Sequence, residues 1–129
     1  MPKKVLLIDD EPDAVDFAKE ILETMGHQVV FAHDGDSGIE KMRREKPDLV
    51  ILDVQMPGKD GFQVFGIIKQ DDELKATPVI MLTGIKEKVG LGFSADEMGK
   101  YMGEKPAVYV EKPIEPAKLQ AAVNEVLGD

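Results

Sequence analysis

The sequence predicts an α/β fold in which helices cover both faces of a parallel sheet. Two observations carry that expectation. Five short segments are rich in Val, Ile and Leu and show little of the apolar–polar alternation of a half-exposed strand, which suits strands buried on both faces. Between them lie stretches whose apolar residues fall at helical spacing, and consecutive parallel strands need helical crossovers. The alternation runs strand–helix five times over, so the expected object is a doubly wound, five-stranded parallel sheet with five helices. At 129 residues the chain fits one domain, residues 1–129, with no low-complexity linker and no solenoid repeat.

Each element has its own local cause. The first strand, Val5 to Ile8, runs into Asp9-Asp10-Glu11-Pro12. Pro12 stands where a first helical turn tolerates proline, because the missing N–H is one the helix leaves unpaired there. Ala14, Phe17, Ala18, Ile21, Leu22 and Met25 then draw one apolar stripe, and Gly26 ends the helix. The second strand, Gln28 to Ala32, leads to a shorter helix containing Ile39 and Met42 and closed by Pro47. Leu49 to Leu52 form the third strand, Phe62, Phe65 and Ile68 mark the third helix, and Val79 to Leu82 form the fourth strand.

From Gly84 to Pro106 the pattern is less regular, interrupted by Gly90, Gly92, Gly99 and Gly103. Ser94-Ala95-Asp96-Glu97 reads as a capping box, so a fourth helix is expected from about Ser94, with Met98, Tyr101 and Met102 as its buried stripe. Gly84 to Phe93 is then a long connection. Ala107 to Val110 form the fifth strand. The last helix opens at Pro116, turns Leu119, Ala122, Val123, Val126 and Leu127 inward, and stops at Gly128. His27 and His33 lack metal-ligand spacing and are expected on the surface near the second strand.

Composition removes several functions. There is no cysteine, hence no disulfide framework and no thiolate metal site. A net charge of −9 argues against a nucleic-acid binder, which needs clustered Lys and Arg for phosphates. The longest apolar runs fall far short of the roughly 20 residues of a membrane span. Met1-Pro2-Lys3-Lys4 does not lead into a signal-peptide core, because acid arrives at Asp9. There is no P-loop and no nucleophilic Ser or Cys constellation. The expectation is a soluble, acidic protein of the cytoplasm.

In an open α/β sheet, ligands bind beyond the carboxyl ends of the strands. Those ends carry Asp9-Asp10-Glu11, Asp53, Thr83-Gly84 and Glu111-Lys112-Pro113. Carboxylates held together repel one another, and a hard divalent cation such as Mg2+ relieves that repulsion while sharing positions with phosphate oxygens. A carboxylate can itself be the nucleophile and form an acyl phosphate. Its phosphoryl oxygens then need the metal, an ammonium (Lys112) and a hydroxyl (Thr83). Taken singly, each feature has a plainer reading: an acidic helix start, a strand-end threonine, a surface lysine.

Taken together, the chain resembles the receiver domain of two-component response regulators, of the single-domain type. The resemblance rests on Ile8-Asp9-Asp10-Glu11, on Leu52-Asp53-Val54-Gln55-Met56-Pro57-Gly58 with Asp60-Gly61, on Met81-Leu82-Thr83-Gly84 and on Tyr109-Val110-Glu111-Lys112-Pro113. It runs from about Lys4 to Leu127. It implies the sheet order 2-1-3-4-5 of flavodoxin-like folds, with Asp53 as phosphoacceptor, Asp10 as a direct Mg2+ ligand, Asp9 assisting through water, and the Gln55 backbone carbonyl completing the protein ligands. It further implies that Lys112 pairs with the phosphoryl group, oriented by a cis bond to Pro113. Thr83 would hydrogen-bond a phosphoryl oxygen and Tyr109 would swing inward behind it. The phosphodonor would be a phosphohistidine on a sensor histidine kinase or histidine phosphotransfer protein. The output would be altered binding of a downstream protein, with no output domain in this chain.

The chain departs from that pattern in three places. The stretch between Thr83 and Lys112 is longer than usual, Gln55 is an uncommon residue where side chains help set dephosphorylation rate, and these 129 residues carry no output domain after the last helix, so output is expected through binding unless the chain is a piece of a longer protein. Two other readings are a magnesium-dependent phosphatase acting through an aspartyl phosphate, and a receiver-shaped scaffold that is never phosphorylated. The first needs its nucleophile at the end of the first strand with a second Asp two positions on, where this chain has Glu11. The second is opposed by the intact set of site residues.

Overall fold

All five apolar segments are strands of one parallel sheet. The computed structural model describes residues 3–56, 58, 60–83 and 108–128. In chain order these form β1 (Lys4–Ile8), α1 (Pro12–Thr24), β2 (Gln28–Ala32), α2 (Gly35–Glu45), β3 (Leu49–Asp53), α3 (Gly61–Gln70), β4 (Val79–Thr83), β5 (Val108–Glu111) and α4 (Pro116–Leu127). The strand order is β2-β1-β3-β4-β5, as expected. Four of the five expected helices are among the described residues. The helix expected from about Ser94 and the Gly84 to Phe93 connection lie outside them.

The missing alternation in the strands has a direct cause in the packing. In β3, Leu49 and Ile51 face one apolar layer with α1 and α4, while Val50 and Leu52 face a second layer with α2 and α3. Both faces of the strand are therefore covered, and all five of its residues are buried. Val15, Ala18, Ile21 and Leu22 of α1 and Leu119, Ala122 and Val123 of α4 close the first layer. Met42 of α2 and Val64, Phe65 and Ile68 of α3 close the second. Each fully buried side chain of this size contributes about 1.5–3 kcal/mol of transfer free energy.

Several local expectations need correction. Phe17 does not face the core but is 44% exposed. Val15 takes the inward position instead, because the buried stripe of α1 is rotated toward it. His27 is not a surface residue: it is 8% exposed, and its Nδ1 accepts the Lys3 backbone N–H at 3.2 Å. His33 is exposed, as expected. A further capping box lies at Asp60 and Gln63, each side chain accepting from the other's backbone N–H and so fixing the start of α3. The third and fourth strands run one residue further than expected, to Asp53 and Thr83, and the fifth ends at Glu111. No described helix is long and apolar enough to cross a membrane.

Candidate functional site

The parallel register brings the carboxyl ends of four strands level with one another. Asp53 pairs with Leu82, and Thr83 with Glu111. Backbone bonds continue this alignment past the strands: Asp9 N–H donates to Ala32 at 3.1 Å, Val54 N–H to Leu82 at 3.0 Å, and Lys112 N–H to Thr83 at 2.7 Å. The acids, the hydroxyl and the ammonium of the site therefore sit on a rigid rim. Asp9, Asp53 and Thr83 are all buried.

Lys112 is the centre of the cluster. Its Nζ lies 3.0 Å from Asp9 Oδ2, 3.1 Å from Asp53 Oδ1 and 3.3 Å from Glu11 Oε1. Lys112 meets Asp9 Oδ2 as an ion pair without hydrogen-bond alignment, and neither Asp9 Oδ2 nor Asp53 Oδ2, both buried, has a hydrogen-bond partner among the described residues. Glu11 turns its own backbone N–H onto Asp9 Oδ1 at 3.0 Å. The bond between Lys112 and Pro113 is cis.

One ammonium does not neutralise this many acids. Burial, and then the neighbouring Asp9 carboxylate, push the Asp53 carboxyl up to about 7, with Asp10 adding to the rise and Lys112 opposing it. Burial alone would lower the Lys112 ammonium, but the neighbouring Asp53 and Asp9 carboxylates outweigh it and hold Lys112 above its ordinary value. Asp9, Asp10, Glu11 and Asp53 each offer a carboxylate oxygen, and those oxygens all lie within 4.8 Å of one another. Four hard oxygen donors with two unpartnered oxygens among them fit a hard divalent cation far better than a soft one.

The remaining expected residues occupy the surroundings. Gln55 is exposed just past the end of β3, and Thr83 ends β4 beside Asp53. Tyr109 is half-buried on β5 against the α2–α3 layer, where burial pushes its phenol up to about 12. Gly61 closes the loop after Asp53: its N–H donates to Val54 at 2.7 Å, and a Cβ there would meet the Asp53 carbonyl oxygen at 2.4 Å. Sequence reasoning did not assign Glu11 a partner, since its contact with Lys112 spans 101 positions of chain. It also missed His33, whose ring bonds the Asp9 carbonyl.

Residues 5–124 match the family model of the response regulator receiver domain. The chain belongs to that family. Among curated relatives, the receiver is 35% identical to Protein PilH of Pseudomonas aeruginosa, covering 97% of this chain and 98% of that protein. It is 34% identical to the alkaline phosphatase synthesis transcriptional regulatory protein PhoP of Bacillus subtilis, covering 98% of this chain but 49% of that one. The receiver thus spans nearly the whole of one relative and about half of the other. Among solved structures, a putative response regulator from Chloroflexus aurantiacus superposes with a TM-score of 0.84 at 27% identity, covering 100% of both chains.

Proposed function

We propose that this receiver is a cytoplasmic, phosphorylation-switched signalling module, a single domain over residues 1–129, whose phosphoacceptor is Asp53. The observation that carries this reading is the buried Asp53 carboxylate at the carboxyl end of β3, with one oxygen 3.1 Å from the Lys112 ammonium and the other without a hydrogen-bond partner among the described residues. An Asp53 oxygen forms the new P–O bond while the P–N bond of a donor phosphohistidine breaks, its electron pair leaving on the imidazole nitrogen. The donor is a sensor histidine kinase or a histidine phosphotransfer protein.

Asp10, Asp9, Asp53 and the Gln55 backbone carbonyl would hold Mg2+. When bound, that ion supplies the positive charge that one lysine cannot, both to the carboxylates and to the phosphoryl oxygens. Lys112 is already poised to follow the charge from the carboxylate to the phosphoryl group. Thr83, at the adjacent strand end, donates its hydroxyl to a phosphoryl oxygen, and Tyr109 moves in behind it. Phosphorylation then shifts a two-state equilibrium and changes the binding of a downstream protein. The chain catalyses only its own phosphoryl transfer and dephosphorylation.

The test is to locate the phosphoryl group. After treatment with acetyl phosphate and Mg2+, borohydride reduction of the acyl phosphate and peptide mass mapping should mark Asp53 alone. A mark at Asp9, Asp10 or Glu11 instead would overturn the assignment.

A further inference from the structure

Asp9 is held from every side but one. Its N–H donates to Ala32 at 3.1 Å, its Oδ1 accepts the Glu11 N–H at 3.0 Å, and its Oδ2 faces Lys112 at 3.0 Å. The β1–β2 ladder ends at Ile8 and Ala32, so the Asp9 carbonyl has passed beyond the register that would pair it. The ring of His33 takes it instead, with Nδ1 at 3.1 Å from the Asp9 carbonyl oxygen. A carbonyl oxygen only accepts, so Nδ1 carries the hydrogen. The ring is itself braced. It packs against Phe31 with centroids 5.3 Å apart, and Lys41 Nζ sits 5.6 Å over the Phe31 ring.

We infer that His33 is a positioning residue for the divalent-cation site, fixing the Asp9–Asp10 backbone so that both carboxylates point into the cluster with Asp53. The inference rests on the magnesium reading above. Its physical basis is that partners outside the ligand set fix ligand orientation, here through the backbone that carries Asp9 and Asp10, and losing such a partner typically weakens metal binding about 10-fold or more. His33 supplies this from the β2–α2 loop, outside the acidic run itself, by a side chain that substitution can remove without touching a carboxylate.

Calorimetric titration of Mg2+ at pH 8, paired with thermal melts of the metal-free proteins, tests the role. His33→Leu removes the donor and should weaken Mg2+ binding about 10-fold while leaving the metal-free melting temperature near that of wild type. His33→Asn keeps an N–H donor at the Nδ1 position and should restore most of the affinity. Wild-type affinity in His33→Leu, or equal loss in both variants, would overturn the positioning role while leaving the magnesium reading intact. No Mg2+ binding by the wild-type protein would overturn both.

Discussion

The Lys112 ammonium sits 3.1 Å from one oxygen of Asp53, while the other oxygen of the same carboxylate is buried without a hydrogen-bond partner among the described residues. A fully compensated structural ion pair would satisfy both oxygens, since an unmatched buried carboxylate oxygen is costly. Here the lysine is shared among Asp53, Asp9 and Glu11, and among the described residues the site is short of positive charge. That shortage is what a cation or a phosphoryl-bound state would exploit.

The first consequence is a coupling between pH and Mg2+. The Asp53 carboxyl titrates at about 7 in the folded chain, above its ordinary value of 3.8. The folded state therefore holds this proton more tightly than the unfolded state, and the stability it confers is present below pH 3.8 and lost as pH rises through about 7. On the magnesium reading, the ion competes with the proton for the same carboxylate. The rise in melting temperature on adding Mg2+ should be small at pH 5 and large at pH 8. An equal rise at both would contradict the assignment.

Asp53→Asn removes one of the mutually repelling charges while Lys112 keeps Asp9 and Glu11 as partners. The metal-free variant should melt about 3–5 °C higher than wild type at pH 8, roughly 1 kcal/mol of added stability. Its Mg2+ affinity should fall. A lower melting temperature would mean that the Lys112–Asp53 pair outweighs the repulsion.

Lys112→Met has the opposite sign. It leaves Asp9, Glu11 and Asp53 without their shared cation and should destabilise the metal-free protein by about 3 kcal/mol, the low end for a buried pair. Added Mg2+ should recover more of the melting temperature in this variant than in wild type. Thermal melts with and without the ion decide it.

Gly61→Ala tests the scaffold behind Asp53. The new Cβ would lie 2.4 Å from the Asp53 carbonyl oxygen and 2.7 Å from Val54 Cα, both backbone atoms. The loop must shift, at about 1–3 kcal/mol, and Asp53 shifts with it. Both the melting temperature and the Mg2+ affinity should drop, the second distinguishing this site from an ordinary overpacked loop.

Much of this was legible in the sequence because both the fold and the site are written in strand ends. Leu49 to Leu52 read as a strand buried on both faces, and the same run delivers Asp53 to the rim. Other features depend on register or rotation, which local spacing does not encode. Phe17 fits the helical stripe as well as Val15 does, and only the seating of α1 on the sheet decides that Val15 is inside. His27 looks like a surface residue until the Lys3 backbone N–H is found on its ring. The Asp60–Gln63 capping box was there to be read from its spacing. The contact of His33 with Asp9 had no such signal, because it exists only once β1 and β2 lie side by side.

The most direct test of the central claim is intact mass after incubation with acetyl phosphate, with and without Mg2+, on wild type and Asp53→Asn. The expected result is a gain of one phosphoryl group in the wild type with Mg2+ present, and in no other combination. A gain that persists in Asp53→Asn, or that is indifferent to Mg2+, would contradict the account, and no gain under any condition would turn attention to the unphosphorylated scaffold.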